Sequence, residues 1–188
     1  MYTLLYQAHA AGETVARSLW LNFPADKATF EIDSQFMLGS GLLISPALDA
    51  GATSVTAYFP KGLWYDFTSH ALAVDASVSA QERVLDTPLT SVNVHLLGGT
   101  VLPQQGAAVT TTAARETPFK LVVALWPKGG AFGELFVDDG IQVDSAIPTN
   151  SLLVQYKASN SNSLVGSIVS NTYSGAAKMN LGEVNILG

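Results

Sequence analysis

The chain has 188 residues, a formal net charge of −6, 48% apolar and 13% charged residues, and no cysteine. Nine scattered basic residues exclude a nucleic-acid binder, which needs clustered Lys and Arg. The cysteine count excludes disulfides and thiolate metal sites. A chain of this size can bury roughly 70% of its unfolded surface without staples, and so little charge with so much apolar surface implies that part of it faces a partner.

Met1, Leu4, Leu5 and Ala8 fall at i, i+3, i+4 and i+7, which predicts a helix over 1–11 with Gly12 as its C-cap. No capping residue precedes it, so it reads as a helix cut rather than begun. The first residues have no basic n-region and are too polar for a signal peptide. No apolar run reaches the roughly 18 residues of a membrane span, and there is no N-x-Ser/Thr sequon. Period two then takes over: in "VARSLWLNF", Val15, Leu19, Leu21 and Phe23 share one face of a predicted strand that ends at Pro24. Leu42 to Ser45 is a short strand closed by Pro46. Val55 to Phe59 and Leu63 to Thr68 flank Pro60-Lys61-Gly62 and predict a hairpin. Val92, Val94 and Leu96 alternate with Asn93 and His95 before Gly98-Gly99 turns the chain.

Phe119 to Trp126 is a nearly continuous apolar strand. Glu134 to Val137 and Ile141 to Val143 flank Asp138-Asp139-Gly140, which fits a type I′ turn. Leu152 to Tyr156, Leu164 to Val169 and Val184 to Leu187 are further strands, with "KASNSNS" a polar loop. Strands at this spacing with almost no helix predict a mainly β chain of two antiparallel β-sandwich domains. The Thr/Ala-rich stretch Gln104 to Arg115 is the expected boundary.

No residue set carries an obvious chemistry. Asp138 and Asp139 are adjacent in a turn, where Asp tolerates unusual backbone angles, and Glu31 and Asp33 read as solvated acids. Asp138, Asp139 and Asp144 lack the EF-hand pattern, and His9, His70 and His95 show no ligand spacing, so no metal is expected. His9 and His95 read as satisfied structural histidines, with His95 on the polar side of its strand. Trp64, Tyr65 and Trp126, with Trp20, are the candidates for stacking on a sugar. Neighbours on a strand face opposite ways, so one of Trp64 and Tyr65 should be core and the other outward. The competing reading is that these rings simply pack against other protein.

The segments "YTLLYQAHAAGETVARSLWLNFP", "QFMLGSGLLISPAL", "GATSVTAYFPKGLWYDF", "VNVHLLGGTVLPQQ", "TTAARETPFKLVVAL", "GELFVDDG" and "VNILG", in this order, resemble the C-terminal third of glycoside hydrolase family 31. The plant-type α-glucosidases and α-xylosidases are the most similar group. The resemblance implies that 1–12 is the remnant of the last helix of a (β/α)8 barrel, 13–105 a proximal β-sandwich and 106–188 a truncated distal β-sandwich. Ser18 stands where the family usually has Pro, and Met1 at a position inside the helix. The family's nucleophile lies in an Asp-Met-Asn-Glu context upstream of everything matched here, so no catalytic residue carries over. The resemblance thus implies a non-catalytic fragment that supports the barrel of a retaining α-glucosidase-like parent, acting without cofactor on terminal α-linked glucose or xylose. It also implies a secreted or vacuolar protein. Two alternatives stand beside it. One is a lectin-like carbohydrate-binding module. The other is a structural or storage-like protein that self-associates through its barrel-facing surface.

Overall fold

A computed structural model describes residues 1–126, 128–141, 149–159 and 163–188. Two units emerge, Thr14–Gly98 with Leu187–Gly188, and Met1–Glu13 with Gly99–Ile186. The division therefore falls at Gly98-Gly99. Gln104 to Arg115, expected as the boundary, lies inside the second unit, and so does the N-terminal helix α1 (Tyr2–Ala11).

In the first unit the elements are β1 (Ala16–Arg17), α2 (Leu19–Asn22), a 3-10 turn (Lys27–Glu31), β2 (Phe36–Leu38), β3 (Leu42–Ser45), β4 (Ser54–Phe59), β5 (Gly62–Asp66), β6 (Leu72–Ala76), β7 (Gln81–Asp86) and β8 (Asn93–Leu97). A six-stranded sheet runs β1-β2-β3-β8-β5-β6, and β4 pairs with β7 in a separate ribbon. The core is formed by Leu19, Met37, Leu43, Trp64, Val74 and Ala76 with Ala57 and Phe59 of the ribbon. Phe59 meets Trp64 edge-on at 5.9 Å between centroids, the arrangement that aromatic quadrupoles favour.

Two expectations fail in this unit. The stretch read as one strand over 15–23 is a two-residue strand followed by a helical turn. Leu19 and Phe23 are four apart, so the same residues satisfy helical spacing, and the Phe23 N–H donates to the Leu19 carbonyl to close the turn. The hairpin expected at Pro60-Lys61-Gly62 does not form either. That turn carries the chain from the ribbon to the six-stranded sheet, where β5 pairs with β6 and β8.

The second unit holds β9 (Thr100–Gln105), α3 (Thr111–Arg115), β10 (Phe119–Ala124), β11 (Ala131–Asp138), β12 (Ser151–Ser159), β13 (Ser163–Asn171), a 3-10 turn (Ala176–Lys178) and β14 (Leu181–Leu187). They form one sheet in the order β13-β12-β11-β9-β10-β14. The β9–β10, β11–β12 and β12–β13 pairs are antiparallel, while β9 and β11 run parallel. Val101, Leu121, Val123, Ala131 and Ala158 share one buried face. Gly133 is required beside them, because a Cβ there would overlap the backbone carbonyl of Val101.

Helix α1 forms as expected and ends at Gly12 with φ of 71°, a left-handed cap that costs glycine little. The face that docks differs from the expected stripe. Tyr6 stacks on Phe136 at 3.9 Å between centroids, Gln7 Nε2 donates to Glu134 Oε2 at 2.9 Å, and the Phe136 N–H donates to Thr3 Oγ1 at 3.2 Å. Met1 and Leu5 stay exposed. The mainly β reading holds throughout both units.

Candidate functional site

The structure withdraws two of the three sugar-stacking candidates. Trp64 is fully buried, and its Nε1–H donates to the Pro60 carbonyl at 2.8 Å. Tyr65, expected to face outward if Trp64 did not, is only 3% exposed. Trp64 belongs to the core cluster and Tyr65 does not; they pair with Leu97 and Leu96 of β8, and the register against β6 shifts between them. Strand β5 lies inside the sheet between β8 and β6, and both faces are covered there, so neither ring offers a surface to a ligand. Trp126 keeps 36% exposure beside the Gly129-Gly130 turn, where its backbone N–H donates to the Gly130 carbonyl.

The turn acids are structural. Asp138 Oδ1 accepts from the Gly140 N–H at 2.8 Å, from the Tyr2 hydroxyl at 2.6 Å and from Arg115 at 3.2 Å. Asp139 Oδ1 accepts from the Ile141 N–H and its Oδ2 from Asn150 Nδ2. The turn is not type I′, since Gly140 has φ of 66° but Asp139 does not share a positive φ. Asp144 and the strand residues Gln142 and Val143 lie outside the described residues. Among the described residues, no group of three or more His, Asp or Glu side chains is placed to hold a metal.

His95 corrects the sequence reading most sharply. It is 3% exposed, it pairs across the sheet with Leu43 and Asp66, and Phe59 meets it edge-on at 4.9 Å. Among the described residues its buried Nδ1 has no hydrogen-bond partner. Burial holds its pKa below the ordinary value of 6.5, against the opposing pull of Asp66. Burial alone would raise the carboxyl of Asp66, but hydrogen bonds from Ser69 and Thr68 outweigh it and bring the group below its usual range.

The exposed aromatics gather elsewhere. The 3-10 turn Lys27–Glu31 is pinned by Asp26, which accepts from the Ala28 N–H and from the Tyr58 hydroxyl at 2.7 Å. Burial and the Asp26 bond raise the Tyr58 pKa to about 12. Buried Thr29 anchors the same turn by donating to the Asp26 carbonyl at 2.7 Å. The turn thereby presents Phe30, 56% exposed, beside Trp20 of α2, 44% exposed. With Ser18, Glu31, Asp33 and Phe36 these rings line a groove of about 440 Å³. The sequence singles out Trp20 and the two acids separately; Phe30 carries no signal of its own, because only the fold brings it to them.

Residues 12–102 match the family described as the glycosyl hydrolase family 31 C-terminal domain. Over its full length the chain is 41% identical to the alpha-glucosidase of Hordeum vulgare, spanning 22% of it. It is 40% identical to the lysosomal alpha-glucosidase of Mus musculus, spanning 21%. A crystal structure of glucosidase II alpha subunit superposes with a TM-score of 0.89 over 98% of this chain and 21% of that one, at 24% identity, a likeness of fold. The chain thus spans about a fifth of the relatives it matches, and it belongs to the C-terminal part of glycosyl hydrolase family 31.

Proposed function

We propose that this chain is the non-catalytic C-terminal portion of an α-glucosidase-like glycoside hydrolase and that it buttresses the parent's catalytic barrel. The observation that carries the reading is the 41% identity along the entire chain to an alpha-glucosidase of which it is 22%. The exposed apolar stripe of α1 supports it. Met1 and Leu5 point away from the face that docks on β11, as a barrel helix with a second neighbour requires. Retaining hydrolysis needs two carboxyl groups about 5–5.5 Å apart, one of them kept protonated. Carboxylates held in defined positions here, among them Asp26, Asp66, Glu134, Asp138 and Asp139, are instead occupied by turn and side-chain donors. In the parent, cleavage of terminal α-linked glucose or xylose takes place on barrel residues, and the parent works in a secretory or vacuolar compartment.

The test is hydrolysis of p-nitrophenyl α-glucoside and α-xyloside by pure protein at high concentration. The expected rate equals the buffer blank. Release of nitrophenol that scales with protein and co-elutes with it through two columns would refute the proposal.

A further inference from the structure

We propose that the groove between α2 and the Lys27–Glu31 turn binds a neutral sugar ring, held between Trp20 and Phe30 and hydrogen-bonded to Glu31 and Asp33. Four observations carry this. Two large aromatic rings on neighbouring elements remain 44% and 56% exposed, and both line one cavity of about 440 Å³, within the range of small-molecule sites. Exposed rings of this size retain a large unfavourable contact with water, which the apolar C–H face of a pyranose relieves.

The polar lining chooses the ligand class. Ile32 follows the 3-10 turn with extended backbone angles (φ −80°, ψ 110°) and packs partly on the core, leaving its neighbours Glu31 and Asp33 exposed on either side of it. Both line the cavity, and among the described residues neither is tied into a hydrogen bond or ion pair. An ionised carboxylate only accepts hydrogen bonds, so the groove asks for a ligand rich in donors, and vicinal hydroxyls supply them. Among the described residues no Lys or Arg lines the groove, so two carboxylates repel a phosphorylated, sulfated or uronic sugar. Ser18 adds a hydroxyl that its helix leaves unused, since the side chain makes no cap hydrogen bond.

The fourth observation is rigidity. Gln35 forms part of the lining and is locked by donating to Ser45 Oγ at 2.8 Å and accepting from the Tyr58 N–H at 2.7 Å. Tyr58 in turn holds Asp26 at the start of the aromatic-bearing turn. A groove built this way loses little entropy on binding.

Maltose titrated into the chain, followed by tryptophan fluorescence and calorimetry, tests the site. Expected is a saturable response at millimolar sugar, at least about tenfold weaker for glucose 1-phosphate, which is about 1.4 kcal/mol. Trp20→Ala or Phe30→Ala abolishes it, Asp33→Asn weakens it several-fold, and Leu89→Ala, at a fully exposed position that does not line the groove, leaves it unchanged. All four positions are exposed or at the surface, and an unchanged thermal melt certifies each variant. A flat titration, equal binding of the phosphate, or a response that survives Trp20→Ala overturns the site. Adhesion of the Trp20–Phe30 patch to another protein in place of sugar also overturns it. The site is independent of the hydrolase reading, which the nitrophenyl assay decides separately.

Discussion

Trp64→Ala is the sharpest test of the first unit, because it separates a core ring from a ligand platform. The side chain is fully buried against Phe59 and Phe23, with centroids at 5.9 and 6.2 Å. Truncation of a buried Trp removes its transfer term and leaves a cavity, together about 3–5 kcal/mol. It also strips the buried Pro60 carbonyl of the donor it now has at 2.8 Å, adding about 1 kcal/mol. Since small domains hold only about 5–15 kcal/mol in total, the unit should be at the edge of unfolding. Trp64→Phe keeps most of the ring and loses only the N–H bond and part of the volume, and should cost about 1–2 kcal/mol. Urea unfolding of both variants measures the difference. A Trp64→Ala variant within about 1 kcal/mol of the parent would mean that the ring is not core, and the argument against it as a sugar platform would fail.

Three further outcomes rest on named contacts. His95 is held below 6.5 in the folded chain by burial, so the unfolded chain takes up a proton first as pH falls through about 6.5, and stability declines from there downward. Urea midpoints from pH 8 to about 5.5 should fall less in His95→Gln than in the parent, and parallel curves would refute the assignment. Gly133→Ala drives a methyl into the Val101 carbonyl and should cost about 3 kcal/mol or more; a melt unchanged within a degree or two would show that β9 and β11 can separate without penalty. Tyr58→Phe removes the hydroxyl that Asp26 accepts. It should cost about 1 kcal/mol and raise hydrogen exchange in the Lys27–Glu31 turn, and unaltered exchange there would remove Tyr58 from the support of the groove.

The strands are legible where one face or a run of apolar residues dominates: Phe119–Ala124 and Leu42–Ser45 stand where the pattern puts them. Pairing is not, because partners are chosen by contacts remote in sequence. Phe59 and Trp64 read as two arms of a hairpin, yet they are opposing walls of a core, and the turn between them changes layers. Burial in a central strand is equally hidden. His95 breaks the apolar alternation of β8 and looks outward by pattern, but a strand lying between β3 and β5 is covered on both faces. The candidate groove escapes sequence reading for the same reason. Trp20 and Glu31 are visible as residues, while their approach depends on a helical turn that a period-two pattern assigns to a strand.

Carboxylates mark the difference between what this fold holds in place and what it leaves available. Where a shift is resolved, in Asp66 and Asp75, hydrogen bonds bring the group below the ordinary carboxylate range. A glycosidase acid needs the reverse, a pKa raised by burial or by a neighbouring charge so that the proton is still present at working pH. Asp66 shows why the reverse does not arise there: burial does push it upward, but the donors Ser69 and Thr68 close a turn around the anion and win. An acid that folds the chain in its ionised form cannot also lend a proton without loosening the turn it caps. In the groove, Glu31 and Asp33 close no turn, and carboxylates left free of structural duty beside two bare rings can grip a sugar's hydroxyls without cutting its bonds.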